Sequence, residues 1–238
     1  MPSVASANLQ QNYLKWNTQY DWPEDGDEWK GQAQTCGIPY DVWKASLVTT
    51  LILPNVGPNR NVLEIGCGHG RWSSYLIENS AFCTLVDISP NCLDHCRIRY
   101  NASRKVEYFL TTGAYLPHYC DADIDFVWSY DSFVHMAPEV IDQYLFEIAR
   151  VLRPTGAAII HHANITDLSS HDQNKSLGWR SAVNNSLVHA LVDRTGMRVE
   201  RQFVYWDEVN KIGVPNHADS ITVIRQPTPL PERKVRLG

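Results

Sequence analysis

A chain of 238 residues, 44% hydrophobic and 20% charged, can bury one sizeable core, and that balance excludes a disordered polymer. The formal charge of −5 argues against a general nucleic-acid partner, because phosphate neutralisation dominates such affinities. No apolar run approaches the roughly 20 residues of a membrane span, and Met1 to Asn8 lacks the regions of a signal peptide, so the expectation is a cytoplasmic protein whose six cysteines stay reduced.

Residues 1–38 stand apart in composition. Trp16, Trp22 and Trp29, with Tyr13 and Tyr20, sit among Asp21, Glu24, Asp25, Asp27 and Glu28, and with Trp43 they place half of the eight tryptophans in the first fifth of the chain. An aromatic segment without a clear period must dock on something to escape water. It reads as an arm that packs on the body or lids a ligand cleft, with the main domain over 39–238.

From Pro39 the pattern is regular. Ile38, Val42, Leu47, Val48, Leu51 and Ile52 approximate helical spacing and stop before Pro54. Asn61 to Ile65 is a short apolar run consistent with a buried strand. Residues 72–80 read as a helix, 81–88 as a second strand, and Pro90 opens a further helix at a position proline tolerates. Residues 106–110 and 124–129 are the third and fourth strands. The strongest helix is 138–152, where Val140, Ile141, Tyr144, Leu145, Ile148 and Leu152 share a face and Arg153-Pro154 with Gly156 ends it. A fifth strand follows at 157–162, then a helix over 181–195 closed by Gly196. Strands 198–206 and 220–225 read as an antiparallel edge. Strands alternating with helices predict an α/β fold: a doubly wound, mostly parallel sheet with an antiparallel C-terminal hairpin.

The chemistry concentrates in Val62-Leu63-Glu64-Ile65-Gly66-Cys67-Gly68-His69-Gly70-Arg71-Trp72, a strand running into G-x-G-x-G and a helix. Glycines there allow a sharp turn and close approach of a ligand to the main chain. Asp87, at the end of the second strand, suits the two hydroxyls of a ribose. A dinucleotide site usually reads G-x-G-x-x-G with pyrophosphate on the helix N-terminus. Here Gly70 comes one residue early, and Glu64 would repel a pyrophosphate but suits an amino-acid ammonium. S-adenosylmethionine is therefore favoured over a nicotinamide dinucleotide.

In these residues the chain resembles the class I, Rossmann-like S-adenosylmethionine-dependent methyltransferases. The matching stretches are Leu63 to Gly70, Leu85-Val86-Asp87-Ile88-Ser89, Asp125 to Met136, and Val151-Leu152-Arg153-Pro154-Thr155-Gly156, within roughly residues 40–225. The resemblance implies a seven-stranded sheet whose last hairpin is antiparallel. It implies a cofactor site from Glu64, Gly66, Cys67, Gly68, Arg71 and Trp72 of the glycine loop, Asp87 on the ribose and Ile88 on the adenine. Ser129 and Tyr130 follow the fourth strand. Many relatives carry an acidic residue after the third strand; here Leu110-Thr111-Thr112-Gly113-Ala114 departs from that pattern, so adenine contact falls to Thr112, Gly113, Ala114 or backbone groups.

The acceptor is harder to read. Removing a hydroxyl proton calls for a base near neutrality, and histidine is the usual choice. His135, shortly after the fourth strand, is the first candidate. His161 and His162 end the fifth strand, and since adjacent residues point to opposite faces at most one of them faces the acceptor. The candidate acceptor contacts are Trp29, Asp131, Trp179, Arg180 and His217. The long polar segment 164–185, between the fifth strand and the next helix, reads as an acceptor loop. Ser129-Tyr130-Asp131-Ser132 lacks the Asn/Asp-Pro-Pro-Tyr/Phe pattern of nucleobase amine methyltransferases. A divalent ion on Asp131, a histidine and water is less favoured than no metal. The resulting expectation is an O-methyltransferase of a small polar acceptor such as a sugar or glycoside. The alternatives are an N-methyltransferase of a small amine, a cofactor-binding partner protein without turnover, and a nicotinamide oxidoreductase. Whether the arm caps its own site or a neighbour's in a homodimer stays open.

Overall fold

The computed structural model describes residues 3–24, 26–27, 30–176, 178–215 and 218–227. The arm contains a helix the sequence pattern did not show, α1 (Val4–Leu14), capped by Ser3, whose side chain accepts from the Ser6 amide. Its buried residues are Ala5, Asn8 and Asn12. A helix that buries asparagines carries no apolar stripe, so periodicity reads it as polar throughout. A π-helical turn over Lys15–Gln19 and a 3-10 segment over Lys30–Cys36 complete the described part of the arm.

The body starts with α2 (Tyr40–Leu47), prolonged by a π-helical turn over Val48–Ile52. There follow β1 (Asn61–Ile65), α3 (Ser73–Asn79), β2 (Phe82–Asp87), α4 (Pro90–Arg99), β3 (Val106–Leu110), β4 (Ile124–Ser129), α5 (Pro138–Val151), β5 (Leu152–Ala163), α6 (Asn185–Arg194), β6 (Arg198–Phe203), β7 (Tyr205–Asp207), β8 (Ile212–Gly213) and β9 (Asp219–Arg225). The main sheet is seven-stranded in the order β3-β2-β1-β4-β5-β9-β6. Its first five strands are parallel, and β9 runs antiparallel to both β5 and β6. This is the expected doubly wound sheet with its antiparallel hairpin. The strand order reverses beside β1, which opens a crevice at the carboxyl ends of β1 and β4.

Alternation along the central strands supplies a core to each face. Val62, Phe126 and Trp128 pack with α2 residues Trp43 and Leu47 on one side, whereas Leu63, Ile65 and Val127 pack with Ile141, Leu145 and Ile148 of α5 on the other. Apolar demand on both faces is why these strands read as unbroken apolar runs.

Three boundaries differ from expectation. The fifth strand starts at Leu152, before Pro154, because a register shift between Ile124 and Phe126 makes room for a proline in the pairing. α6 begins at Asn185: the Asn184 side chain caps it by accepting from the Leu187 amide, while Ser181 pairs with the body by donating its N–H to the Val134 carbonyl. The expected strand 198–206 divides at Val204. Trp206 leaves the main sheet to stack edge-on against Trp43 and donates to the Ser46 hydroxyl at 3.0 Å. Among the described residues no helix is long and apolar enough to cross a membrane.

Candidate active site

The crevice holds a cleft of about 730 Å³, counting the space at its mouth. One end is built almost entirely by backbone. Gly66, Gly68 and Gly70 sit at φ +72°, +52° and +87°, a left-handed path that L side chains rarely take. A methyl group on Gly66 would run into the Ser132 side chain, and one on Gly68 would lie 2.7 Å from Trp22. Asp87 closes this end. One carboxylate oxygen accepts from the Gly68 amide at 2.9 Å and the other from the Ser89 amide at 2.8 Å. Burial raises its pKa, and those amide bonds work against the rise. Ile65, Gly66, Gly68, Asp87, Ile88 and Tyr130 line the cleft. Thr112 lines a shallower neighbouring recess with Ser6, Tyr13 and Leu110, joined to the cleft through Leu9 and Ile88.

Other expected cofactor contacts lie behind this wall. Glu64 is 2% exposed and accepts from the Ser73 hydroxyl at 2.5 Å, tying β1 to the start of α3. The Cys67 thiol rests 3.8 Å from Asp87 and 4.0 Å from the Cys96 sulfur. Trp72 is a core residue with the Arg71 guanidinium 4.7 Å over its ring. Ser129 is buried and donates to the Ile65 carbonyl at 2.8 Å. The Gly113 carbonyl accepts from Tyr144 at 3.1 Å, and Ala114 packs on the core.

The other end is built by side chains from distant parts of the chain. His135 is buried. Its Nδ1 lies 3.0 Å from the Trp179 carbonyl, and its Nε2 has no hydrogen-bond partner among the described residues. A carbonyl only accepts, so Nδ1 carries the proton and Nε2 the lone pair. Burial first, then the Arg180 charge, lowers its pKa to about 4, against the pull of the Trp179 carbonyl. Trp16 lies against the ring at 4.7 Å and Trp179 stacks on it at 5.6 Å. Trp16, Trp22, Asn12, Asp131 and Ser132 line this end of the cleft, and His135 sits immediately behind Trp16. The arm is anchored here: Asn8 and Asn12 both donate to the His135 carbonyl, and Asn8 accepts from the Ala137 amide at 2.9 Å.

Beneath the cleft a row of buried charges alternates in sign. Arg71 pairs with Asp131 at 2.8 Å; His161 Nδ1 lies 3.2 Å from Asp131 and Nε2 lies 3.2 Å from Asp219; Arg180 grips Asp219 through two bonds of 2.8 and 2.7 Å. The Asp219 contact to Nε2 is a charge contact, not aligned for a hydrogen bond. Burial opposes the His161 charge, but Asp219 and Asp131 outweigh it and raise the pKa. Burial likewise works to raise Asp131, and His161, Arg71 and Arg180 overturn that and hold the carboxyl well below the usual range. Asp131 also accepts from Gln32 with both oxygens at 3.0 Å, so its lone pairs are engaged by protein donors. Tyr130 stacks on His161 at 4.2 Å and turns a buried hydroxyl, unpartnered among the described residues, to the same region. Among the described residues no group of three or more His, Cys, Asp or Glu side chains could hold a metal ion.

Of the three histidines singled out from sequence, His135 alone has, among the described residues, a ring nitrogen with neither a hydrogen bond nor a charged contact; Nε2 of His161 lacks a hydrogen bond but lies 3.2 Å from Asp219. His162 faces away, bonded through Nδ1 to the Ala163 carbonyl and through Nε2 to Thr222 at 2.7 Å, and burial lowers its pKa to about 4. His161 is clamped between carboxylates. Trp29 and His217 lie outside the described residues. From segment 164–185, Trp179 and Arg180 support His135 and Asp219 and do not line the cleft. Sequence reasoning missed Asn8, Asn12, Gln32 and Asp219. Each is a polar residue whose partner lies far along the chain, a relation no local pattern carries.

Residues 62–156 match the family model described as a methyltransferase domain. Methyltransferase GfsG of Streptomyces halstedii is 33% identical over 110 residues, 44% of this chain and 38% of that protein. A fatty-acid O-methyltransferase of Mycolicibacterium smegmatis is 37% identical over 99 residues, 41% of this chain and 35% of that protein. The matches thus span under two fifths of these relatives. Among solved structures, geranyl diphosphate C-methyltransferase of Streptomyces coelicolor A3(2) superposes with a TM-score of 0.68 at 11% identity, covering 94% of this chain and 100% of that one. Phosphoethanolamine N-methyltransferase 1 of Haemonchus contortus gives 0.64 at 13% identity, covering 95% of this chain and 50% of that one. Residues 62–156 thus match a methyltransferase domain, and the chain has the fold of the class I, Rossmann-like S-adenosylmethionine-dependent methyltransferases.

Proposed function

We propose that this chain methylates a hydroxyl of a small polar acceptor, with S-adenosylmethionine as donor and His135 as general base. The observation that carries the reading is the open Nε2 of His135, buried next to the cleft and left as a lone pair by the Nδ1 bond to Trp179. The cofactor end fits the donor. Gly66 and Gly68 of the glycine loop line the cleft with bare main chain, and Asp87 presents a buried carboxylate at its rim. The bound donor supplies a methyl group activated on a sulfonium.

The chain's own residues do the rest. Nε2 takes the proton of the acceptor hydroxyl as its oxygen becomes a nucleophile. A pKa near 4 keeps this nitrogen unprotonated at neutral pH, so the base is available throughout the physiological range. Trp16, Trp22 and Tyr130 offer aromatic faces, and Asn12 and Ser132 offer polar groups, a combination suited to a hydroxylated ring such as a sugar. The fatty-acid O-methyltransferase relative supplies a precedent for an oxygen acceptor. The engaged oxygens of Asp131 weigh against a cationic amine or a metal there. The arm acts as a lid on its own chain's site, since Trp16 covers His135 and Trp22 covers the glycine loop.

The test is calorimetric titration with S-adenosylhomocysteine, with NADH as control, for the wild type and Asp87→Ala, followed by turnover of an acceptor panel beginning with sugars. Micromolar binding that weakens about 100-fold or more in Asp87→Ala is expected, as a charged group loses two ligand hydrogen bonds of roughly 1.5–3 kcal/mol each. Binding of NADH instead would overturn the cofactor reading. Binding without turnover of any acceptor would point to a partner protein, and turnover of amines indifferent to His135 would point to N-methylation.

A further inference from the structure

Arg180 and Asp219 touch neither the cleft nor His135, yet both are almost fully buried, at 4% and 2% exposure. The role of this ion pair follows from what it holds. Arg180 grips Asp219 with both prongs and turns its third nitrogen to the Gly178 carbonyl at 2.8 Å. Its own carbonyl accepts from His171 Nε2 at 2.7 Å and Ser176 Oγ at 3.1 Å. Between Gly178 and Arg180 stands Trp179, at φ +57°, with Gly178 at φ +66°. A tryptophan rarely adopts that conformation, and it persists only where the surroundings impose it. Its effect is to turn the Trp179 carbonyl inward, onto Nδ1 of His135. Gln173 bridges the same two residues, donating to the Trp179 carbonyl at 3.2 Å and the His135 carbonyl at 3.1 Å.

We propose that Arg180 and Asp219 are positioning residues: they hold the left-handed turn at Trp179 whose carbonyl fixes His135 as the Nδ1-protonated tautomer with Nε2 open. The long segment after β5 would then orient the base, where its length and polarity suggested an acceptor pocket. The inference rests on the assignment of His135 as base and extends it to what leaves the lone pair on that nitrogen. It parallels the logic of a catalytic triad, in which a group bonded to one ring nitrogen decides what the other can do. Here the group is a main-chain carbonyl, and the carboxylate acts on it one step removed, through an arginine.

The experiment is a two-bond proton–nitrogen spectrum of protein labelled in its histidine rings, recorded with S-adenosylhomocysteine and assigned by difference from His135→Gln. The wild type is expected to show His135 with a protonated Nδ1 and a bare Nε2. In Asp219→Asn the two tautomers should mix, and turnover should fall by about tenfold or more with the affinity for S-adenosylhomocysteine within about twofold of wild type. Arg180→Lys keeps the charge but loses the two-pronged grip; it should fall between the two, and it carries the test if Asp219→Asn does not fold. A wild-type His135 protonated on Nε2 would overturn the proposal, as would an unchanged tautomer in the variants. A protein that holds the expected tautomer yet binds no S-adenosylhomocysteine would instead count against the methyltransferase activity, so the two failures are separable.

Discussion

The two ends of the cleft are made in different ways. The cofactor end is a local object: β1, seven residues of loop, α3 and the tip of β2, where main-chain amides and left-handed glycines do most of the shaping. The acceptor end is assembled across the chain. Asn8 and Asn12 of α1 reach the His135 carbonyl, Gln32 reaches Asp131, and Arg180 reaches Asp219. A site built from backbone tolerates change in its neighbours because the peptide groups are always present. A site built from long-range side-chain bonds depends on each partner, since removing one strands another in a buried place. The contrast predicts that substitutions at the two ends fail differently, one in affinity and the other in turnover and stability.

The largest expected effect separates chemistry from binding. His135→Ala should lower turnover by about 10²–10⁴-fold, the range typical of a lost general base, while S-adenosylhomocysteine binds as in the wild type. Steady-state rates beside calorimetry check this. Equal losses in both would mean that the acceptor end supports the cofactor end, and the contrast would fail.

The next effect is on stability. Burial holds both His135 and His162 at about 4 instead of 6.5. Between those two pH values the unfolded chain binds protons that the folded chain refuses, so stability should fall as pH drops from about 6.5 toward about 4. The loss is on the order of 3 kcal/mol for each fully buried ring. His161 has the opposite sign: its raised pKa stabilises the fold while the ring is charged, and that contribution is lost as pH rises through the raised value. Urea unfolding at pH 7.0, 5.5 and 4.5 measures the acid limb, and a flat profile there would show the rings to be wetter than the structure has them.

This asymmetry also decides what could be read from sequence. The sheet was legible because its strands are buried on both faces and so appear as apolar runs such as Val62-Leu63 and Phe126-Val127-Trp128. The glycine loop and Asp87 were legible because the required backbone conformation falls on adjacent residues. α1 was not, because its buried face is asparagine. Nor was the choice among His135, His161 and His162. All three end up fully buried, and only their partners, one carbonyl, two carboxylates, and a carbonyl with a hydroxyl, distinguish them.

Asn8→Ala tests the arm's anchor. It leaves the Ala137 amide buried without its acceptor and removes one donor to the His135 carbonyl. A cost of about 1–3 kcal/mol in urea unfolding is expected, because the stranded amide carries its full desolvation penalty. If the loss is confined to turnover with stability unchanged, the arm is held elsewhere.

The smallest effect tests the one place where the arm crosses to the cofactor end. Trp22 lines the cleft, stacks on His69 at 4.7 Å and lies so close to Gly68 that a methyl group there would meet it at 2.7 Å. Its indole donates to the Trp16 carbonyl at 3.0 Å, which ties the residue covering the glycine loop to the residue covering His135. Trp22→Ala removes a stacked ring worth about 1 kcal/mol beyond its buried area. S-adenosylhomocysteine should then dissociate about tenfold faster, with its association rate unchanged or higher, as surface plasmon resonance would record. Slower association instead would mean that Trp22 helps to form the loop and does not cover it. Unchanged rates with a lowered melting temperature would reduce the arm to packing.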